Sequence, residues 1–313
     1  MRLVYMGTPA FAIPPLEELL AGGYEVVGVY AQPDKPAGRG MGMEASPVKV
    51  FAQGRGLKVL QPTSLRASVA HQELLSLGPD LMVVAAYGRI LPKEVLQIPR
   101  WGCVNLHPSL LPRHRGPSPV AYALLEGDET TGVTLILLDE GMDTGPVIAQ
   151  QEEPVLPQDT AETLTDRLFY RAATLLVRSL PLYFRGELEP QPQDETRASY
   201  TSKLTKEEGA IRWELPAVSL WRQVRAYSPW PGSYTRWRGK LLKVMEAVPL
   251  PWAEPGSLGM VVSLESSAMV PVGVITGEGV LGLKRVQLEG KQAVDATDFL
   301  RGHQGFVGST LPS

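Results

Sequence analysis

Asn105, His107 and a carboxylate from the segment Asp139-Glu140-Gly141-Met142-Asp143-Thr144-Gly145 have the types and spacing for proton transfer and oxyanion stabilisation. In the run Cys103-Val104-Asn105-Leu106-His107, a strand period of two puts Asn105 and His107 on one face. An Asn amide can donate to a developing oxyanion. A His can exchange a proton near neutral pH, and a carboxylate can orient that imidazole and favour its charged form. Taken singly, Asn105 and His107 could merely bond loop backbone at a strand end, and Asp143 could serve an Asx turn. The three together, including the chain's single asparagine, favour chemistry. No GxSxG elbow occurs, Ser109 follows His107 in a loop, and Cys103 reads as a small, chemically quiet core residue. Direct transfer between two bound substrates, without a covalent enzyme intermediate, is therefore expected.

Open parallel sheets place ligands beyond the carboxyl ends of their strands, and the elements around these residues read as such a sheet. Apolar runs at 2–6, 25–31, 80–86, 101–107 and 132–139 alternate with helical patterns at 10–20, 68–77 and 121–127. A short helix from Pro47 and a weak strand near Val59 fill the interval between them. The strands at 101–107 and 132–139 are read as neighbours whose ends bring the 139–145 loop beside His107. The longest helix spans 159–185, with Asp159 and Glu162 as a capping box. Residues 186–199 hold almost no apolar side chain and read as a linker. Beyond them, short β-rich runs at 233–237, 240–248, 258–264, 269–276 and 280–289 suggest a small antiparallel barrel, closed by a helix near 293–302. The fold expected is α/β: a Rossmann-like, mostly parallel N-terminal domain at 1–186, a linker at 187–206 and an OB-like β-barrel at 207–313.

The 313 residues are 44% hydrophobic and 20% charged, enough to bury a core in each of two domains. No apolar run approaches the roughly 20 residues of a membrane span, and the N-terminus reads as a first strand. A lone cysteine allows no disulfide, and histidines at 71, 107, 114 and 303 show no HxxxH or HExxH spacing, so no metal site is expected. These features suggest a cytoplasmic, soluble protein; a monomer is expected, though nothing in them fixes the oligomeric state. Gly7 ends the first strand, but Gly7-Thr8-Pro9-Ala10-Phe11 lacks the other glycines of a dinucleotide fingerprint, which disfavours a nicotinamide cofactor. The net charge is -3. From Leu204 onward, however, 12 Lys and Arg stand against 10 Asp and Glu, a net of +2 that permits a polyanion partner. One Asn among 28 prolines fits either heat adaptation or a GC-rich genome.

NLHPSLLPRHRGPSPV at 105–120, followed by TGVTLILLDEGMDTGPVI at 131–148, resembles the folate-dependent formyltransferase family. MGTPAFAIPPLEEL at 6–19, QPDKPAGRG with SPVKV, AAYGRILP at 85–92 and RAYSPWPGSY at 225–234 resemble its tRNA-formylating members. The resemblance covers nearly the whole chain. It implies 10-formyltetrahydrofolate as donor and the α-amine of methionine on initiator tRNA as acceptor, for translation initiation. Asn105, His107 and Asp143 match the family's catalytic set. Ser109, Leu110, Leu111 and Pro112 match its folate-contact segment, with Tyr87, Arg89 and Leu91 on the pterin side. The loop from Lys35 to Gly42 matches a segment that enters the acceptor-stem region, with Lys35 and Arg39 as its cations. The implied mechanism has the amine attack the formyl carbon. Asn105 and a protonated His107 stabilise the tetrahedral oxyanion, while Asp143 favours the imidazolium.

In the second domain Arg222, Arg225, Arg236, Arg238, Lys240 and Lys243 are interleaved with Trp221, Tyr227, Trp230, Tyr234 and Trp237. The aromatics read mostly as core. The cations read as a solvated, phosphate-facing surface, with Arg236, Arg238 and Lys240 as its centre. The rival readings are a formyltransferase acting on an amino sugar nucleotide, a purine precursor or another small amine, and a non-catalytic tRNA- or folate-binding protein.

Overall fold

A computed structural model describes residues 1–37, 42–264 and 270–313, so Arg39 lies outside the described residues. The chain forms two compact units. The first comprises Met1–Pro119, Thr130–Pro154 and Thr165–Thr201, and the second Val120–Glu129, Val155–Leu164 and Ser202–Ser313.

The elements run β1 (Arg2–Gly7), α1 (Ile13–Ala21), β2 (Glu25–Tyr30), a hairpin of β3 (Lys35–Ala37) and β4 (Gly42–Glu44), α2 (Pro47–Gly54), β5 (Val59–Leu60), α3 (Ser68–Leu77), β6 (Leu81–Ala85), α4 (Lys93–Leu96) and β7 (Cys103–His107). They continue through α5 (Pro119–Glu126), β8 (Thr130–Leu137), β9 (Val147–Pro154) and α6 (Ala161–Phe184). The first unit's sheet has the order β5-β2-β1-β6-β7-β8-β9. Strands β5 to β7 are parallel. The run Leu81–Ala85 is buried at every position, as a sheet covered on both faces requires. Strand order reverses between β1 and β6, so the crevice of this sheet opens where Gly7 and Ala85 end their strands.

Two features differ from the sequence reading. β8 runs antiparallel to β7, with His107 opposite Thr134 and Val104 opposite Leu137. The loop after β8 therefore starts at the far end of β7 from His107 and must fold back to reach it. β9 is an additional strand, antiparallel to β8. Its alternation of half-buried and exposed residues hid it among polar sequence. The cap of α6 differs as well. Thr160 Oγ1 accepts from the Thr163 N–H at 3.3 Å and Thr163 Oγ1 from the Thr160 N–H at 3.0 Å. Asp159 instead accepts from the Leu156 N–H at 2.7 Å, bracing the turn before the helix.

The second unit continues with α7 (Ala217–Ala226), β10 (Ser233–Trp237), β11 (Lys240–Leu250), β12 (Val261–Ser263), β13 (Val272–Ile275), β14 (Val280–Leu288), β15 (Val294–Asp295) and α8 (Ala296–Gly302). Its antiparallel sheet has the order β10-β11-β14-β13-β12, with β15 also on β14, a barrel-like half-wrap of the expected OB kind. Register shifts around Glu246 bend β11, as bulges do. Leu220 and Val224 of α7 pack with Leu242, Val244 and Trp237, and Phe299 of α8 joins the same cluster. Each such side chain, fully buried, contributes about 1.5–3 kcal/mol. Arg238 and Gly239 turn β10 into β11 with φ of 49° and 72°, the pair of positive angles that a two-residue hairpin needs.

Candidate active site

β7 delivers the two residues that the strand period placed on one face. His107 is 4% exposed, at the last position of the strand. Asn105 is half-buried, and its amide makes no hydrogen bond among the described residues. His107 Nε2 lies 3.0 Å from the His114 carbonyl, so Nε2 carries the proton and donates it. His107 Nδ1 faces Asp143 Oδ2 at 3.6 Å. That oxygen also accepts the Gly116 N–H at 2.8 Å.

Of the three carboxylates after β8, the structure selects one. Asp139 Oδ1 accepts from the Gly141 N–H at 3.0 Å and the Thr144 hydroxyl at 2.7 Å, which shapes the loop itself. Glu140 pairs with Lys93 at 2.6 Å. Asp143, held at a left-handed φ of 54°, is the one that turns to His107. That region is uncommon for non-glycine residues, and Asp enters it more readily than most.

The two nitrogens of His107 face two acceptors, an arrangement only the imidazolium satisfies in full. Burial works against it. Desolvation pushes the His107 pKa below its usual value, against the opposing pull of Asp143 and the His114 carbonyl. Burial therefore disfavours the charged imidazole in this site. The Nδ1 lone pair and the Asp143 carboxylate together form a proton-accepting edge. Cys103, deeper on β7, is buried and its thiol is pushed up to about 12, so it supplies no nucleophile at neutral pH.

The segment after His107 is tightly anchored. Ser109 is fully buried and its hydroxyl donates to the Arg113 carbonyl at 2.7 Å. The Leu111 N–H donates to Thr134 Oγ1 at 3.1 Å, and its carbonyl accepts from Gln150 at 2.8 Å. Leu110 and Pro112 are half-buried. On the other side of the crevice, the Tyr87 carbonyl accepts from Thr8 Oγ1 and Gln32 Nε2 at 3.2 and 3.0 Å. The side chains of Tyr87 and Leu91 are buried in the core, whereas Ile90 is 83% exposed. Arg89 bonds Gln32 at 3.1 Å and the Thr63 carbonyl. A cavity of about 470 Å³, lined by Lys93, Leu96, Gln97, Leu138, Asp139 and Glu140, opens between α4 and the loop after β8. Its size suits a small heterocycle; of its lining, the sequence reading names only Asp139 and Glu140, as candidate carboxylates.

The cations divide. Arg236, Arg238 and Lys240 are exposed around the β10–β11 turn, with Arg238 stacked 4.6 Å over Trp237. Lys35 is exposed on β3. Arg225 does not belong to a solvated face. It donates to the Asp159 and Leu156 carbonyls at 2.7 Å each and lies 4.3 Å over Trp221. Arg222 reaches the Glu126 carbonyl at 3.3 Å. Both arginines are spent on the second unit's own packing.

Residues 1–180 match the formyl transferase profile and residues 203–304 the formyl transferase C-terminal domain. A methionyl-tRNA formyltransferase of Roseiflexus sp. (strain RS-1) is 48% identical, the alignment covering 96% of this chain and 92% of the relative. One of Dehalococcoides mccartyi (strain ATCC BAA-2266 / KCTC 15142 / 195) is 47% identical over 99% of this chain and 98% of its own. Among solved structures, HypX of Aquifex aeolicus in complex with tetrahydrofolic acid shares the fold with a TM-score of 0.65 at 20% identity, covering 99% of this chain and 48% of that one. No helix among the described residues is long and apolar enough to cross a membrane.

Proposed function

This chain belongs to the formyl transferase family, among its methionyl-tRNA formyltransferases, and from that premise we propose how its residues divide the reaction. The enzyme transfers the formyl group of 10-formyltetrahydrofolate to the α-amine of methionine on initiator tRNA, in the cytoplasm and as a monomer. The observation that carries the catalytic assignment is the group at the end of β7: Asn105 and His107 on one face, with Asp143 3.6 Å from the imidazole and held by the Gly116 N–H.

Asn105 donates its free amide to the oxygen of the formyl group as the amine adds to its carbon. One such donor is worth on the order of 10² to 10³ in rate. On collapse of the tetrahedral species the bond from the formyl carbon to the folate nitrogen breaks and that nitrogen takes up a proton; as the species forms, the amine must shed one. The His107–Asp143 edge receives it, because the arriving proton completes the imidazolium that two acceptors already surround. Burial disfavours that charge until the proton arrives. Ser109 to Pro112, Arg89 and the 470 Å³ cavity form the folate side, with the Tyr87 to Leu91 segment contributing backbone and Ile90 more than the buried Tyr87 and Leu91 side chains. Lys35 in the first unit, and Arg236, Arg238 and Lys240 in the second, contact the tRNA backbone.

The test offers folate carrying a labelled formyl group together with charged initiator tRNA, an amino sugar nucleotide and glycinamide ribonucleotide in parallel. Label should pass to the tRNA with a kcat/KM at least about 10³-fold above either small acceptor, a ratio set by contacts only the tRNA can make. Preferred transfer to a small amine would overturn the acceptor assignment.

A further inference from the structure

We propose that residues 191–201, read from sequence as linker, form a strap whose Gln193, oriented by buried Arg115, positions Asp143 for its work on His107. This rests on the assignment of His107 and Asp143 to proton transfer.

Gln193 Nε2 donates to the carbonyls of both Asp143 and Gly145, each at 2.7 Å. Its Oε1 accepts from Arg115 Nε at 3.0 Å and Nη2 at 2.9 Å. The amide can point only one way. Flipped, it would set its oxygen against two carbonyls and its NH₂ against a guanidinium. Arg115 has no exposed surface, and its remaining N–H groups are also occupied. Nη1 donates to Glu195 Oε2 at 2.9 Å and the Tyr200 hydroxyl at 3.0 Å, and Nη2 to Glu195 Oε1 at 2.8 Å. A planar fork with every donor engaged fixes Gln193 more tightly than a lysine could.

The same strap holds the other partner of the imidazole. Ser199 Oγ accepts from the His114 N–H at 2.9 Å, and the Ser199 carbonyl accepts from the Arg115 N–H at 2.8 Å. The Thr201 N–H donates to the Arg115 carbonyl at 2.7 Å. His114 in turn presents the carbonyl that receives His107 Nε2. Both acceptors flanking His107 are thus set by residues that arrive 50 or more positions later in the chain. Asp143 holds a left-handed backbone, uncommon for a non-glycine residue, and Gln193 braces it at the carbonyl of that same residue. The titratable groups facing His107 are Asp143 from the loop after β8 and His114 from the segment after β7.

The experiment uses Gln193→Ala and Gln193→Glu in the full chain, with the His107 ring followed by nuclear magnetic resonance across pH. Four histidines make its signals assignable. Gln193→Glu keeps an acceptor for Arg115 but turns a carboxylate toward two carbonyls, so it tests the loop contact apart from the guanidinium. Asp143 favours the charged imidazole, so its displacement should lower the His107 midpoint in both variants. Adding Asp143→Asn to either should lower that midpoint no further. Turnover should fall about 10- to 100-fold, as for a misplacement near 1 Å, with KM for the folate within about two-fold. Folded variants that leave the His107 midpoint where it is in the parent would overturn the proposal, whatever their melting temperatures. The titration needs no substrate. A shifted midpoint in a protein that transfers no formyl group would support the strap and reject the catalytic reading. An unmoved midpoint in an active enzyme would do the reverse.

Discussion

Replacing Gly116 by alanine strikes the site through its backbone. Gly116 adopts a φ of 109°, outside the well that an L-residue can occupy cheaply. Forcing alanine there costs about 1–3 kcal/mol. An added Cβ would sit 2.7 Å from the Thr201 carbonyl oxygen and 2.9 Å from its hydroxyl oxygen. Neither can retreat freely. The Thr201 N–H is bonded to the Arg115 carbonyl at 2.7 Å, and Thr201 Oγ1 receives the Ser118 N–H at 3.1 Å. Crowding of this kind adds about 1–3 kcal/mol. If Gly116 moves away instead, its N–H leaves Asp143 Oδ2, and a hydrogen bond to a charged group worth about 1.5–3 kcal/mol goes with it. Either route costs about 2 kcal/mol or more, which lowers the melting temperature of the first unit by roughly 4–8 °C or more. The second route also releases the carboxylate, so turnover should fall by about 10²-fold. Calorimetry and steady-state kinetics on one preparation read both effects. A variant that melts within about 2 °C of the parent and turns over at its rate would refute this account of Gly116.

Asn105→Ala should lower kcat by about 10²- to 10³-fold while the protein still binds folate, because the amide is free to donate and braces nothing in the fold; turnover at the parent rate would remove it from the mechanism. Asp143→Asn should shift the acid limb of the kcat/KM profile to lower pH. The carboxylate raises the pKa of His107, so without it protonation that blocks the base needs more acid. A limb that moved up would contradict the pairing. Neutralising Arg236, Arg238 and Lys240 together should raise KM for charged tRNA and cut the slope of log affinity against log salt by about two to three, one counterion for each lost phosphate contact. An unchanged slope would place the phosphates elsewhere.

Much of this site is readable from residue order because strand periodicity is strict. Asn105 and His107 had to share a face, and the apolar runs at 2–6 and 80–86 had to be buried strands. Direction is a different matter. Nothing within 132–139 tells a parallel strand from an antiparallel one, and β8 runs opposite to the expectation. Asp143 was identified through the resemblance, but its reach depends on a loop folding back along the sheet. β9 escaped notice because an edge strand with one wet face reads as polar sequence. α7 was hidden by Trp221, Arg222 and Arg225, which resemble a nucleic-acid surface until their partners are seen. The strap was illegible for a related reason: Gln193, Glu195 and Ser199 look solvated, and only three-dimensional proximity shows that their bonds go inward.

The position of that strap in the chain also sets a schedule. Asn105, His107 and Asp143 leave the ribosome early, with Thr201 following 58 residues after Asp143. At about 5–20 residues per second, the interval is roughly 3–12 s. Throughout it the nascent chain carries Asn105, His107 and Asp143 without Gln193, whose amide bonds the Asp143 carbonyl, or Ser199, which receives the His114 N–H. On the proposed role of the strap, a translation product that stops short of residue 193 should hold these three side chains with the carboxylate unfixed.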